Sequence, residues 1–91
     1  MQHLDIKVSG RVQGVFFRAS TLEQAEKLGI RGWVSNHADG SVRIAAEADA
    51  EAMQQFLIWL QHGPENARVD DLAISPGEPE YFDAFSIRRQ P

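Results

Sequence analysis

The chain has no cysteine among its 91 residues, which removes disulfide staples, thiolate nucleophiles and every zinc or iron–sulfur site built on sulfur ligands. Stability therefore rests on packing. Long apolar runs are also absent: Met1-Gln2-His3-Leu4-Asp5-Ile6-Lys7 carries an acidic residue, and no later window approaches the ~18 consecutive apolar residues of a membrane span. A water-soluble, cytoplasmic protein is expected. Positive charge is in short supply, with 9 Lys and Arg against 13 Asp and Glu and a net charge of −4. Such a molecule repels a polyanion as a whole and leaves room only for a small local anion site. An RNA-binding sheet would further need an aromatic cluster on a strand, which is missing.

Signatures of cofactors and metals are missing too. There is no G-x-x-x-x-G-K-[ST] for a nucleoside triphosphate with magnesium and no G-x-G-x-x-G for a dinucleotide. His3, His37 and His62 show no metal-ligand spacing, and neither Ser9 nor Ser35 has a visible base partner. Asp70-Asp71 and Glu78 with Glu80 read as solvated loop or strand-edge positions. No cofactor, metal, membrane or nucleic-acid partner is expected.

What is present suits one small core. Hydrophobic residues make up 43% of the chain, and a chain of this size hides only about 60–65% of its unfolded surface on folding. Residues 1–91 therefore read as a single domain; a monomer is expected, and the start at Met1 and end at Pro91 favour a stand-alone protein. Leu4, Ile6 and Val8 alternate with His3, Asp5, Lys7 and Ser9, the period-2 signature of a half-buried strand. A helix follows and ends at Gly29. Its start is open, because Ser20-Thr21-Leu22-Glu23 reads as a capping box whereas a tight strand–loop–helix turn would begin it near Phe17.

Arg31–Ser35 and Val42–Glu47 read as two strands joined by Asn36-His37-Ala38-Asp39-Gly40, whose Asp-Gly pair favours an antiparallel hairpin. Asp49 is a candidate N-cap for a helix in which Met53, Phe56, Leu57 and Leu60 share one stripe, ended by Gly63-Pro64. Val69–Ile74 and Phe82–Ile87 are further strand candidates around the turn formers Ser75-Pro76-Gly77-Glu78-Pro79. Trp33, Phe56 and Phe85 are expected in the core, while Ile58 and Trp59 fall off the helix stripe and could form a small exposed patch. The order β-α-β-β-α-β plus a short C-terminal strand predicts a two-layer α+β sandwich of the ferredoxin-like pattern, a mainly antiparallel sheet with two helices on one face.

The loop between the first strand and first helix has glycine at 10 and 14. Backbone N–H groups at a helix N-terminus have no intrahelical partners and carry positive partial charge, so a loop curled over them can cradle a phosphate. Arg18 would be an unfavourable cation there unless an anion sat beside it. The plainer reading also fits: glycines that only turn the chain, with Arg11 and Arg18 as solubilising charges. Asn36 likewise suits either a turn or a site that holds a water.

Taken together, Gly10-Arg11-Val12-Gln13-Gly14-Val15-Phe16-Phe17-Arg18, Gly32-Trp33-Val34-Ser35-Asn36, Asp39-Gly40-Ser41-Val42 and Gly63-Pro64 resemble the acylphosphatase family. The resemblance runs to Phe85-Ser86-Ile87. It implies a ferredoxin-like sandwich that hydrolyses the carboxyl-phosphate bond of acyl phosphates without a metal. By the same resemblance, Arg18 and the loop amides of Gln13, Gly14, Val15, Phe16, Phe17 and Arg18 would bind the phosphoryl group, and Asn36 would position the attacking water. It also favours a helix start near Phe17. The chain departs from the family at Ala48, where glycine is common, which puts the end of the third strand in question, and it has Phe at the variable position 16. The competing expectation is a non-enzymatic module of the same fold that binds an anion or a partner. A domain cut from, or paralogous to, a larger carbamoyl-transfer maturation factor is the other alternative.

Overall fold

In the computed structural model, which describes residues 1–89, the alternating N-terminal segment forms strand β1 (Gln2–Arg11). Ile6 and Val8 are buried on one side of it, and Asp5 and Lys7 lie on the other. Helix α1 (Phe17–Leu28) buries Phe17, Thr21 and Ala25, which recur every four residues along one stripe. Ser20 lies inside its first turn, because the Ser20 N–H already donates to the Phe16 carbonyl at 3.0 Å. The apparent capping box therefore does not start the helix. α1 ends at Gly29 as expected, and the next N–H, of Ile30, donates to the Ala25 carbonyl at 2.8 Å.

Strands β2 (Arg31–Asn36) and β3 (Val42–Ala48) form the expected antiparallel hairpin. Gly32 has φ +141°, and a Cβ there would overlap the Ala45 carbonyl oxygen on the facing strand, so that position excludes a side chain. Ala48 stays in the ladder opposite Gln2, and the strand needs no glycine at its end. Helix α2 (Ala50–Leu60) starts where Asp49 accepts the Ala52 N–H at 2.8 Å, and it buries Met53, Phe56 and Leu60. Strand β4 spans Arg68–Pro76, and β5 is only Phe85–Ile87. The latter is shorter than the sequence suggests because Tyr81 has φ +59° and the Phe82 N–H donates to Glu47 at 3.1 Å instead of to a strand.

The sheet order is β4-β1-β3-β2-β5, antiparallel throughout except where β5 runs parallel to β2. This is the ferredoxin-like arrangement with one strand added at the β2 edge. Both helices lie on one face, where Val34, Val42 and Ile44 from the sheet meet Phe17, Met53 and Phe56. Among the described residues, no helix is long and apolar enough to cross a membrane.

Trp33 is not in that core. Val34 takes the inward position on β2, so its neighbour faces the opposite side of the sheet, half-buried beneath the Arg88 guanidinium, 4.8 Å from the ring centroid. The same open face hides a polar pair. His3 and Glu47 stand opposite each other on β1 and β3 and are 4% and 1% exposed, because the segment after β4 folds over them. His3 Nδ1 lies 2.7 Å from a Glu47 oxygen and Nε2 lies 3.1 Å from Asp5. Glu47 also accepts the backbone N–H groups of Glu80 and Phe82. Burial alone would lower the His3 pKa, but its bonds to Glu47 and Asp5 outweigh burial and hold it above the ordinary value. Burial would raise Glu47, yet the Glu80 N–H, His3 and the Phe82 N–H hold it below the usual carboxylate range.

Candidate active site

The loop from Val12 to Phe16 carries the chain from β1 onto the N-terminus of α1. Gly14 has φ +75° with open space around its α-carbon, and Phe16 is also left-handed at φ 60°, ψ 25°. That curl aims the loop across the first turn of the helix. No side chain caps α1 and no acidic residue sits in its first turn. Among the described residues, no backbone N–H from Gly14 to Ala19 donates to a protein acceptor. A set of unpaired donors at the positive end of a helix can cradle an anion.

A cavity of about 330 Å³ opens above it, lined by Val12, Gly14, Phe16, Phe17, Arg18, Ala19, Asn36, Ile87 and Arg89. Arg18 is half-buried and makes no ion pair among the described residues. Asn36 is the last residue of β2 and shares the inward face with Val34, which brings its side chain to the cavity from below. Its Oδ1 is buried and has no hydrogen-bond partner among the described residues. A buried acceptor left unsatisfied is costly, and beside Arg18 in this cavity it could accept a hydrogen bond from a water or a substrate group.

Of the residues singled out in the sequence, Gly14, Phe16, Phe17, Arg18 and Asn36 come together in this cavity, whereas Gln13 and Val15 do not line it. Val15 packs against the core. Gln13 turns its amide away and donates to the carbonyls of His37 at 2.8 Å and Ser41 at 3.0 Å, stapling the loop to the β2–β3 turn that follows Asn36. Asp39 braces that turn from the other side by accepting the Ser41 N–H at 2.9 Å and the Ser41 hydroxyl at 2.5 Å, with Arg43 and Lys7 at 3.4 and 3.5 Å. These bonds from Ser41, followed by the cations, hold the Asp39 carboxyl well below its usual range. Phe17 anchors the loop from beneath, 2% exposed and 5.9 Å from the Trp59 ring. Trp59 is thereby packed on the loop, and Ile58 alone of that pair is exposed.

Sequence reasoning missed the side-chain role of Gln13 and the cavity wall made by Ile87 and Arg89. The wall depends on the parallel pairing of Val34 with Ile87, which no local pattern announces.

A family model described as acylphosphatase matches residues 4–87. The chain belongs to the acylphosphatase family. It is 46% identical over 82 residues to an acylphosphatase of Haloquadratum walsbyi, covering 90% of this chain and 88% of the relative. The crystal structure of an acylphosphatase from Bacillus subtilis superposes with a TM-score of 0.94 at 37% identity, covering 97% of this chain and 99% of that one. Similarity also extends to T. kodakarensis HypF, with a TM-score of 0.88 at 28% identity, where all of this chain corresponds to 12% of that larger protein.

Proposed function

We propose that residues 1–91 form one acylphosphatase domain that hydrolyses the carboxyl-phosphate bond of small acyl phosphates, giving a carboxylate and inorganic phosphate. Arg18 and the amides from Gln13 to Arg18 hold the phosphoryl oxygens, and Asn36 Oδ1 accepts a hydrogen bond from the water that attacks phosphorus in line. The buried, unpartnered Asn36 Oδ1 beside an uncapped helix N-terminus carries this reading. A neutral amide cannot act as a base near pH 7, so the chemistry must not need one. Phosphoryl transfer through a loose transition state asks mainly for positioning and charge stabilisation, and a carboxylate leaves without prior protonation. The water's proton passes to a phosphate oxygen of the substrate. No covalent enzyme intermediate forms and neither metal nor cofactor takes part. The protein acts in the cytoplasm as a monomer, without nucleic acid.

The test is hydrolysis of benzoyl phosphate at neutral pH with chelator present, comparing the native protein with Arg18→Ala and Asn36→Ala. Turnover that both changes abolish or cripple is expected. Phosphate binding without turnover by the folded native protein would favour a non-enzymatic anion-binding module instead, and a trapped phosphorylated enzyme would reject the direct attack.

A further inference from the structure

Phe16 is unusual on two independent counts. Its ring is 81% exposed, and its backbone sits at φ 60°, a left-handed conformation that a bulky side chain adopts at a cost. Nothing in the fold offsets that cost, since so exposed a ring contributes little to the core. Across the same cavity stands Ile87 of β5, 38% exposed. The described residues leave six large apolar side chains exposed, and two of the six flank this one opening.

The cavity itself, about 330 Å³, falls within the range of roughly 300–1,000 Å³ typical of small-molecule sites, more than a phosphoryl group alone requires. Its half-buried polar groups are the helix N-terminus, Arg18 and Asn36, and its exposed lining includes Phe16, Ile87 and Arg89. The Arg89 guanidinium can stack on a flat ring as well as pair with an anion. A molecule bound with its phosphate at the helix N-terminus could lay its acyl part against Phe16 and Ile87, which line the same cavity.

Building on the acyl-phosphate reading above, we propose that Phe16 and Ile87 form an acyl-group subsite selective for flat, apolar acyl phosphates over short ones. Phe16 is thus a specificity-determining residue whose backbone belongs to the cradle and whose ring reads the leaving group. Aromatic pairs in offset or edge-to-face contact are favourable enough to shift affinity by up to about tenfold.

The experiment measures kcat/KM for benzoyl phosphate and for acetyl phosphate in the native protein, Phe16→Ala, Phe16→Tyr and Ile87→Ala. Intrinsic reactivity differs between the two substrates, but that difference cancels when the ratio is compared between variants. The benzoyl-to-acetyl ratio is expected to fall about tenfold in Phe16→Ala, mostly through KM for benzoyl phosphate, to hold in Phe16→Tyr, and to fall about threefold in Ile87→Ala. Equal losses on both substrates would make Phe16 a purely structural loop residue and overturn the subsite. A ratio that stays constant in all variants would overturn it as well. If Phe16→Ala does not fold, the Ile87→Ala ratio decides alone. Absence of hydrolysis of either substrate by the native protein would remove the acylphosphatase reading itself, a result distinct from a lost preference.

Discussion

In the proposed mechanism Asn36 and Arg18 divide the work at the level of single side chains. There the amide would contribute orientation and one acceptor, used most fully when the water begins to attack, so Asn36→Ala should lower kcat by about 10²–10³-fold with KM little changed. Arg18 would meet charge already present on the bound phosphate, so Arg18→Ala should raise KM as well as lower kcat. Steady-state kinetics on both variants separates the two roles, and an Asn36→Ala variant altered only in KM would contradict the assignment. Phe16 carries the opposite bargain. Replacing it with glycine relieves the left-handed backbone, and the melting temperature should rise, by about 1 kcal/mol in stability, while selectivity is lost. Calorimetry showing Phe16→Gly to be destabilised would mean that the ring has folded-state contacts.

At the level of elements, the site is a meeting of three pieces: the loop before α1, the end of β2 and the end of β5. Gln13 holds the first two together through two side-chain bonds to carbonyls of the β2–β3 turn. Removing that amide in Gln13→Ala should cost about 1–3 kcal/mol, read as a lower urea midpoint, and should reduce kcat/KM because Asn36 and the cradle no longer share one frame. Full activity together with lost stability would confine Gln13 to a structural role. The elements were largely legible in the sequence because each has a local cause. Alternation gave β1, Asp49 capped α2, and Asp39-Gly40 closed the hairpin. The first helix misled in one respect, since Ser20 and Glu23 stand at capping-box spacing inside a helix whose true first acceptor is the Phe16 carbonyl.

Across the whole molecule, the buried His3–Glu47 pair ties β1, β3 and the segment before β5 together. Its linkage to pH has two limbs. The Glu47 pKa is depressed on folding, so its contribution is complete above the unfolded value near 4.5 and is lost as pH falls through the folded value. The His3 pKa is raised, so its contribution is complete below 6.5 and is lost as pH rises through the folded value. The urea midpoint should therefore be highest between pH 4.5 and 6.5 and decline on both sides, and His3→Gln should flatten the alkaline decline. An unchanged alkaline limb in that variant would show that His3 does not titrate with folding. This pair was invisible in the sequence, where His3 and Glu47 occupy the polar side of their strands. They are buried only because the segment after β4 folds back across the open face. Trp33 misled for the related reason that its size suggested a core position, while the β2 alternation assigned that place to Val34. The loop before α1 was readable because it is one continuous stretch, whereas Ile87 and Arg89 reach the cavity beside it only through strand pairing.

The sheet has one long outer edge, β4, bonded only to β1 among the described residues. An unpaired edge of nine residues is a template on which a strand of another molecule could stack. Here the ladder slips at Ser9 and Gly10, opposite the exposed Asp70 and Asp71, and the strand closes on Pro76, which has no N–H to offer. Irregular spacing, like charge and a missing donor along one edge all work against the stacking of a second strand there.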